Sequence, residues 1–218
     1  MFIAAVRHIC TPEVAMIGDV MESVMERTAG RLVREAPAPS VLAVIPTLDE
    51  ERHIEACIRS LMDGDPRLRQ VPLTVADGGS KDKTVAIVER MKFEFPNLRV
   101  LHNPKKLQSA ALNLAAEVHA SEETRFLIRC DAHSVYPPNF IIDVADALET
   151  TKAASVVVPM DALGETCFEK ANAWIVDTPM GSGGSAHRGG RNSGYVDHGH
   201  HAGFDLAVYK MIGGYDET

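Results

Sequence analysis

The sequence predicts a doubly wound α/β domain, a mostly parallel sheet with helices on both sides. Three observations predict it. Short Val/Leu/Ile-rich runs alternate with amphipathic helical stretches from Ser40 onward, the spacing suits strand–helix–strand crossovers, and three of the runs end in a carboxylate and a polar loop. A chain of 218 residues with 45% apolar content can bury one substantial core, so a single domain with an appendage is expected.

Residues 1–39 carry no strand–helix rhythm and end in Ala36-Pro37-Ala38-Pro39, which suits an extended linker; they are read as an N-terminal appendage with one short helix around Val14 to Met25. The domain is expected to span residues 40–218. Val41-Leu42-Ala43-Val44-Ile45 is a buried parallel strand ending at Pro46. Asp49 is expected to open a helix, with Glu50 and Glu51 in its first turn and Ile54, Cys57, Ile58, Leu61 and Met62 on one apolar face. Leu73 to Ala76 forms a second strand running into Asp77, and the loop Gly78 to Asp82 leads to a helix with Val85, Val88 and Met91 inward. Leu98 to Leu101 is the third strand, Ser109 to Val118 the next helix, and Phe126 to Cys130 the fourth strand, ending at Asp131. Tyr136-Pro137-Pro138 starts a helix with Phe140, Ile141, Val144 and Leu148 on one face, and Ala154 to Val158 is a fifth strand.

The net charge of −8, with no basic stripe, argues against a nucleic-acid partner. An acidic chain that handles an anionic substrate needs a cation to mediate, which makes a divalent metal worth seeking. Cys10, Cys57, Cys130 and Cys167 form no CxxC pair and read as reduced, mostly core thiols. The opening Met1 to Val6 is short, lacks a basic leader and is followed by Arg7, so no signal peptide is expected. No apolar run approaches the ~18 residues a spanning helix needs. The chain as it stands is read as cytoplasmic.

Chemistry concentrates at the strand ends, where ligands of open α/β sheets bind. Strand one ends in Pro46-Thr47-Leu48-Asp49-Glu50, strand two in Asp77-Gly78-Gly79-Ser80, and strand four in Asp131-Ala132-His133. If these strands are neighbours, their carboxylates converge on one rim, where a cation or ligand donors would relieve the repulsion. Taken singly, Asp49 also reads as an N-cap and Asp77 as a turn former.

These segments resemble the family 2 glycosyltransferases of GT-A, Rossmann-like fold. Ala43 to Glu51 resembles that family's first motif, with Asp49 where Asn is usual. Asp77-Gly78-Gly79-Ser80-Lys81-Asp82-Lys83-Thr84 resembles its second, and Asn103 to Asn113 the segment before the metal motif. Asp131-Ala132-His133 stands in place of the metal-binding D-x-D. More narrowly, Asp131 to Pro138 and Gly181 to Gly190 resemble ExoA-type enzymes of succinoglycan and exopolysaccharide synthesis.

The resemblance implies an inverting hexosyltransferase that moves a hexose, glucose first, from a UDP-sugar to a glycan or polyprenyl-linked acceptor. Pro46, Thr47, Asp49, Asp77, Lys105 and Asp131 would line the nucleotide-sugar site, with Lys105 a point charge for the diphosphate. Asp131 and His133 would hold a divalent cation, Mn2+ ahead of Mg2+ because imidazole suits manganese better. The alternative for His133 is a hydrogen bond to nearby backbone.

The glycine-rich stretch Gly181 to Gly194 follows no strand, so it fits neither a Rossmann fingerprint nor a P-loop. With His187, Arg188 and Arg191 it reads as a loop that closes over the diphosphate or shapes the acceptor groove, or else as a flexible one. His198, His200 and His201 read as packing and acceptor-side groups, since neighbouring strand histidines face opposite ways. The family's general base follows a Gly-Gly-Phe/Tyr-Asp-Glu motif, here Gly213-Gly214-Tyr215-Asp216-Glu217, and is expected beyond Thr218. Neither Asp205 nor Asp216 matches its position. The fragment is therefore expected to bind donor with little turnover, and the full-length protein to sit at the cytoplasmic face of the inner membrane. Two other classes remain: a silent nucleotide-sugar-binding domain, and a sugar-phosphate nucleotidyltransferase. The second would need a glycine-rich basic loop where Thr47-Leu48-Asp49-Glu50 stands.

Overall fold

The structure is a computed structural model that describes residues 3–6, 40–164, 166–176, 178, 180–181 and 201–217. The suggested helix at 14–25, Cys10, His198, His200 and most of the glycine-rich stretch lie outside the described residues. In chain order the elements are β1 (Ile3–Val6), β2 (Val41–Thr47), α1 (Ile54–Leu61), a 3-10 turn (Pro66–Gln70), β3 (Leu73–Asp77), α2 (Thr84–Met91), β4 (Leu98–His102) and α3 (Gln108–Val118). They continue with β5 (Phe126–Arg129), β6 (Ser134–Val135), α4 (Phe140–Thr151), β7 (Ser155–Val157), β8 (Met160–Leu163), α5 (Cys167–Val176), β9 (His201–Asp205) and α6 (Leu206–Met211).

A six-stranded sheet runs in the order β4-β3-β2-β5-β9-β7. The pairings β4 with β3, β3 with β2 and β2 with β5 are parallel, whereas β9 lies antiparallel between β5 and β7. The sheet is thus mixed but mostly parallel, as expected apart from β9, which no regular alternation announces. The chain winds outward from β2 through β3 to β4 and returns on the other side of β2 as β5. That reversal is the topological switch point, and it opens at the carboxyl ends of β2 and β5.

Strand β2 is buried on both faces, which is why it reads as one continuous apolar run. Val41, Ala43 and Ile45 face a core shared with Ile54, Cys57, Ile58 and Leu61 of α1, Val88 and Met91 of α2, and Phe140, Ile141, Val144 and Leu148 of α4. Leu42 and Val44 face the opposite layer, packed on Ala111, Leu112 and Ala115 of α3 and Leu206 and Tyr209 of α6. The small alanines let α3 approach the sheet closely. Fully buried side chains such as Leu42 and Ile45 each contribute about 1.5–3 kcal/mol through burial.

Two expectations need correction. Helix α1 begins at Ile54, not at Asp49. Asp49 has φ 54°, a left-handed conformation that ends β2, and a separate turn over residues 50–53 precedes the helix, with His53 and Ile54 N–H donating to the Glu50 carbonyl. On α2 the buried residues are Thr84, Val88 and Met91, while Val85 is half-buried. Cys57 and Cys130 are buried, but Cys167 is exposed. A strand unassigned from the sequence, β1, pairs in parallel with β6 and antiparallel with β8, forming a second three-stranded sheet.

Candidate active site

Strands β3, β2 and β5 are neighbours, so the segments bearing Asp77, Asp49 and Asp131 leave the sheet on the same rim. Thr47 and Asp77 are register partners at the ends of β2 and β3. Thr47 is buried and its hydroxyl donates to the Ile45 carbonyl at 3.1 Å. Pro46 precedes it in β2, half-buried beside its register partner Ala76.

Asp77 is buried, and its carboxylate folds the following loop around itself. It accepts from Gly79 N–H at 2.9 Å, from Ser80 N–H at 3.1–3.2 Å and from the Ser80 hydroxyl at 2.5 Å. Gly79 has φ 90°, a conformation that glycine adopts without strain. The Asn103 N–H donates to the Asp77 carbonyl at 2.7 Å, which ties the segment after β4 to the same corner.

The loops after β2 and β3 staple to each other. Asp49 N–H donates to Ser80 Oγ at 2.9 Å, and Lys81 N–H returns a bond to Asp49 Oδ1 at 2.7 Å. Glu50 N–H donates to Thr84 Oγ1 at 2.8 Å, Glu51 N–H to Asp82 Oδ2 at 3.0 Å, and Lys83 N–H to Glu51 Oε2 at 3.0 Å. Ser80, Asp82 and Thr84 thus serve the neighbouring loop. Desolvation pushes the Asp82 carboxyl up, but bonds from the Thr84 hydroxyl and N–H and from Glu51 N–H outweigh it and hold its pKa below the usual value.

Beyond β5, Asp131 Oδ1 accepts from Arg129 Nε at 3.2 Å, Arg129 Nη2 at 3.0 Å and Gln108 Nε2 at 3.1 Å. Its backbone N–H donates to the Tyr136 hydroxyl at 2.6 Å. Burial acts to lower the Arg129 pKa, but the Asp131 charge and the bonds to Asp131 and Tyr215 raise it on balance. His133 Nδ1 lies 3.1 Å from Glu50 Oε1, a carboxylate partner rather than the backbone bond considered above. Lys105 pairs with Glu217, and Asn113 ties that glutamate down as well, its Nδ2 donating to Glu217 Oε1 at 2.7 Å and to the Tyr215 carbonyl at 2.8 Å. Asp205 caps α6, its Oδ1 accepting from Val208 N–H at 3.0 Å, and is engaged there.

A cleft of about 610 Å³ opens beside the rim, with Asp49, Glu51, His53, Asp82, His133 and Glu169 among its walls. Of the predicted residues, Asp49 and His133 line it. Pro46, Thr47 and Asp77 lie at the adjoining strand ends, while Lys105 sits on the far side of β3, after β4. Sequence reading missed the contact between Glu50 and His133, having placed Glu50 in an ordinary first helical turn. It also missed Arg129, two residues before Asp131 in a strand otherwise apolar, where an interior charge was the available signal.

Asp131 and His133 suit a divalent cation by donor chemistry: a carboxylate with one oxygen engaged by Arg129 and Gln108, and an imidazole with Nδ1 engaged by Glu50. Among the described residues no group of three or more His, Cys, Asp or Glu side chains is arranged to hold a metal. The described side chains would therefore supply at most one or two ligands, and a bound cation would need the rest from water or a bound molecule.

A doubly wound sheet with an acidic rim at its switch point defines an α/β protein whose candidate ligand site lies at the carboxyl ends of its strands. Residues 42–213 match the glycosyl transferase family 2 model, and the chain belongs to that family. It is 42% identical over 185 residues to the succinoglycan biosynthesis protein ExoA of Rhizobium meliloti (strain 1021), covering 84% of this chain and 55% of that protein. It is 27% identical over 150 residues, 66% of this chain and 46% of the relative, to a Methanococcus voltae dolichyl N-acetyl-alpha-D-glucosaminyl phosphate 3-beta-D-2,3-diacetamido-2,3-dideoxy-beta-D-glucuronosyltransferase. The chain spans about half the length of the curated relatives it matches. Among solved structures it resembles the mannosyltransferase PcManGT from Pyrobaculum calidifontis, in complex with GDP-Man and Mn2+, with TM-score 0.59, 19% identity and coverage of 84% of this chain and 49% of that one. It also resembles residues 1–349 of S. aureus TarS, with TM-score 0.55, 17% identity and coverage of 81% and 50%. These likenesses establish the GT-A fold.

Proposed function

We propose that this chain forms the donor-binding part of an inverting glycosyltransferase that takes a hexose from a UDP-sugar, UDP-glucose first, in bacterial exopolysaccharide synthesis. The observation that carries the proposal is the convergence of Asp77, Asp49 and Asp131 on one rim at the switch point, in a family 2 chain similar to ExoA. The acceptor class that follows is a glycan or polyprenyl-linked sugar, presented to the full-length protein at the cytoplasmic face of the membrane.

In this reading the uracil lies against the ends of β2 and β3. The Asp77 carboxylate is held rigid by Gly79 and Ser80 and accepts the imide N–H, while the cross-stapled loops carrying Thr47 and Asp49 shape the nucleoside pocket. Asp131 and His133 hold the cation at the diphosphate, Mn2+ ahead of Mg2+. When bound, that ion neutralises the charge that builds on the departing UDP. Arg129 and Gln108 keep Asp131 oriented, and Lys105, paired with Glu217 and well exposed, can exchange that partner for phosphate. The loop after β2 is acidic and staple-bound, which disfavours the nucleotidyltransferase alternative.

Calorimetric titration of UDP with and without Mn2+ tests the reading. Binding that strengthens with Mn2+ and weakens in Asp131→Asn is expected; no UDP binding with metal present would reject it.

A further inference from the structure

We propose that Glu50 is a positioning residue for the metal–diphosphate site, fixing the His133 imidazole so that its Nε2 is presented as a lone-pair donor. The inference rests on the reading that His133 meets the cation. Glu50 lies on the turn after β2, and His133 lies 83 residues later, beyond β5. Between them the Glu50 carboxylate is shared by two rings: Oε1 is 3.1 Å from His133 Nδ1, and Oε2 is 3.1 Å from His53 Nδ1.

A carboxylate in this arrangement only accepts, so each ring must carry its proton on Nδ1, and the neutral imidazole then holds its lone pair on Nε2. A carboxylate behind a metal-binding histidine fixes both ring orientation and tautomer and makes the ring a better donor. Glu50 is itself well held. Its N–H donates to Thr84 Oγ1 at 2.8 Å, and its carbonyl accepts from His53 and Ile54 N–H, both at 3.0 Å. Its side chain is only 13% exposed, whereas that of His133 is 41% exposed and lines the cleft. An anchored carboxylate behind a histidine open to the cleft is the geometry expected of a support, not of a ligand.

The competing explanation is that Glu50 merely pins His53 at the start of α1. The two are separable, because His53→Ala removes the Oε2 contact and leaves the Oε1 contact to His133. In Glu50→Gln the amide can donate to His133 Nδ1, which moves the ring proton to Nε2, where it blocks metal binding.

The test is a Mn2+ titration of the intact protein saturated with UDP, reading the loss of the free-ion electron paramagnetic resonance signal. Metal-free UDP affinity and melting temperature are measured alongside. Glu50→Gln is expected to weaken Mn2+ binding about 10-fold or more, with metal-free UDP affinity unchanged and His53→Ala within about twofold of wild type. If Glu50→Gln binds Mn2+ like wild type while His133→Ala does not, this inference falls and the proposed function stands. Equal losses in Glu50→Gln and His53→Ala would reduce Glu50 to a structural pin and overturn it. Wild-type protein that takes up no Mn2+ with UDP would overturn both.

Discussion

Replacing Asp77 with Asn probes the proposed nucleoside pocket with the smallest change of shape. The carboxylate accepts from two N–H groups and one hydroxyl in a buried corner, and an amide offers only one oxygen for them. With its oxygen turned toward Gly79 and Ser80 N–H, the new NH2 faces Ser80 Oγ and the base. Hydrogen bonds to a charged group contribute about 1.5–3 kcal/mol and neutral ones about 0.5–1.5, so the loop loses about 2–3 kcal/mol of stability. The new NH2 cannot accept the uracil imide N–H, so that bond is lost, about 1.4 kcal/mol or more, roughly tenfold or more in UDP affinity. Cytosine presents an acceptor where uracil presents a donor, so the amide should tolerate CDP better than the carboxylate does. Calorimetric titration of UDP and CDP, at a temperature where the variant is folded, should show the UDP preference shrinking by about tenfold or more. A folded Asp77→Asn protein with an unchanged UDP-to-CDP ratio would refute the assignment of Asp77 to the base.

Other perturbations probe the frame around the rim. Asn113→Ala removes the acceptor of the buried Tyr209 hydroxyl (2.5 Å) and of Tyr215 N–H (3.0 Å), together with the donor to Glu217. It should cost about 2 kcal/mol in urea unfolding and speed deuterium exchange over residues 213–217. In Gly203→Ala the new Cβ would stand 2.5 Å from Val144 Cγ1 and 2.9 Å from Leu148 Cδ1, so overpacking between β9 and α4 should destabilise by about 1–3 kcal/mol, read as a lower melting temperature. The folded-state pKa of Asp82 lies below its ordinary value of 3.8, so its contribution is complete above that value and is lost as pH falls through the lowered one. Urea midpoints measured from pH 5 down to pH 2 should fall less steeply in Asp82→Asn than in wild type.

The rim was legible because it depends on local signals. Each apolar run ends in a marked residue, and a parallel sheet places such ends side by side, so the segments bearing Asp77, Asp49 and Asp131 leave neighbouring strands on one rim. The roles of Ser80, Asp82 and Thr84 were hidden because their partners, Asp49, Glu51 and Glu50, lie more than thirty residues away. Asp49 misled for a related reason. Acidic residues before an amphipathic run look like a helix start, yet here their hydrogen bonds go sideways to the neighbouring loop and the helix waits until Ile54. Strand β1 escaped notice because four apolar residues gain strand identity only from partners at Ser134–Val135 and Met160–Leu163. The docking of Tyr215 and Glu217 onto Asn113 has the same long-range character, joining residues about a hundred positions apart.

The central claim, that the rim formed by β2, β3 and β5 holds a metal-bound uridine diphosphate, is tested most directly by anomalous diffraction from crystals grown with UDP and Mn2+. The account predicts one manganese peak within bonding distance of the diphosphate and of Asp131 or His133, with the uracil imide against Asp77. Manganese and nucleotide bound elsewhere, or uracil turned away from Asp77, would contradict it.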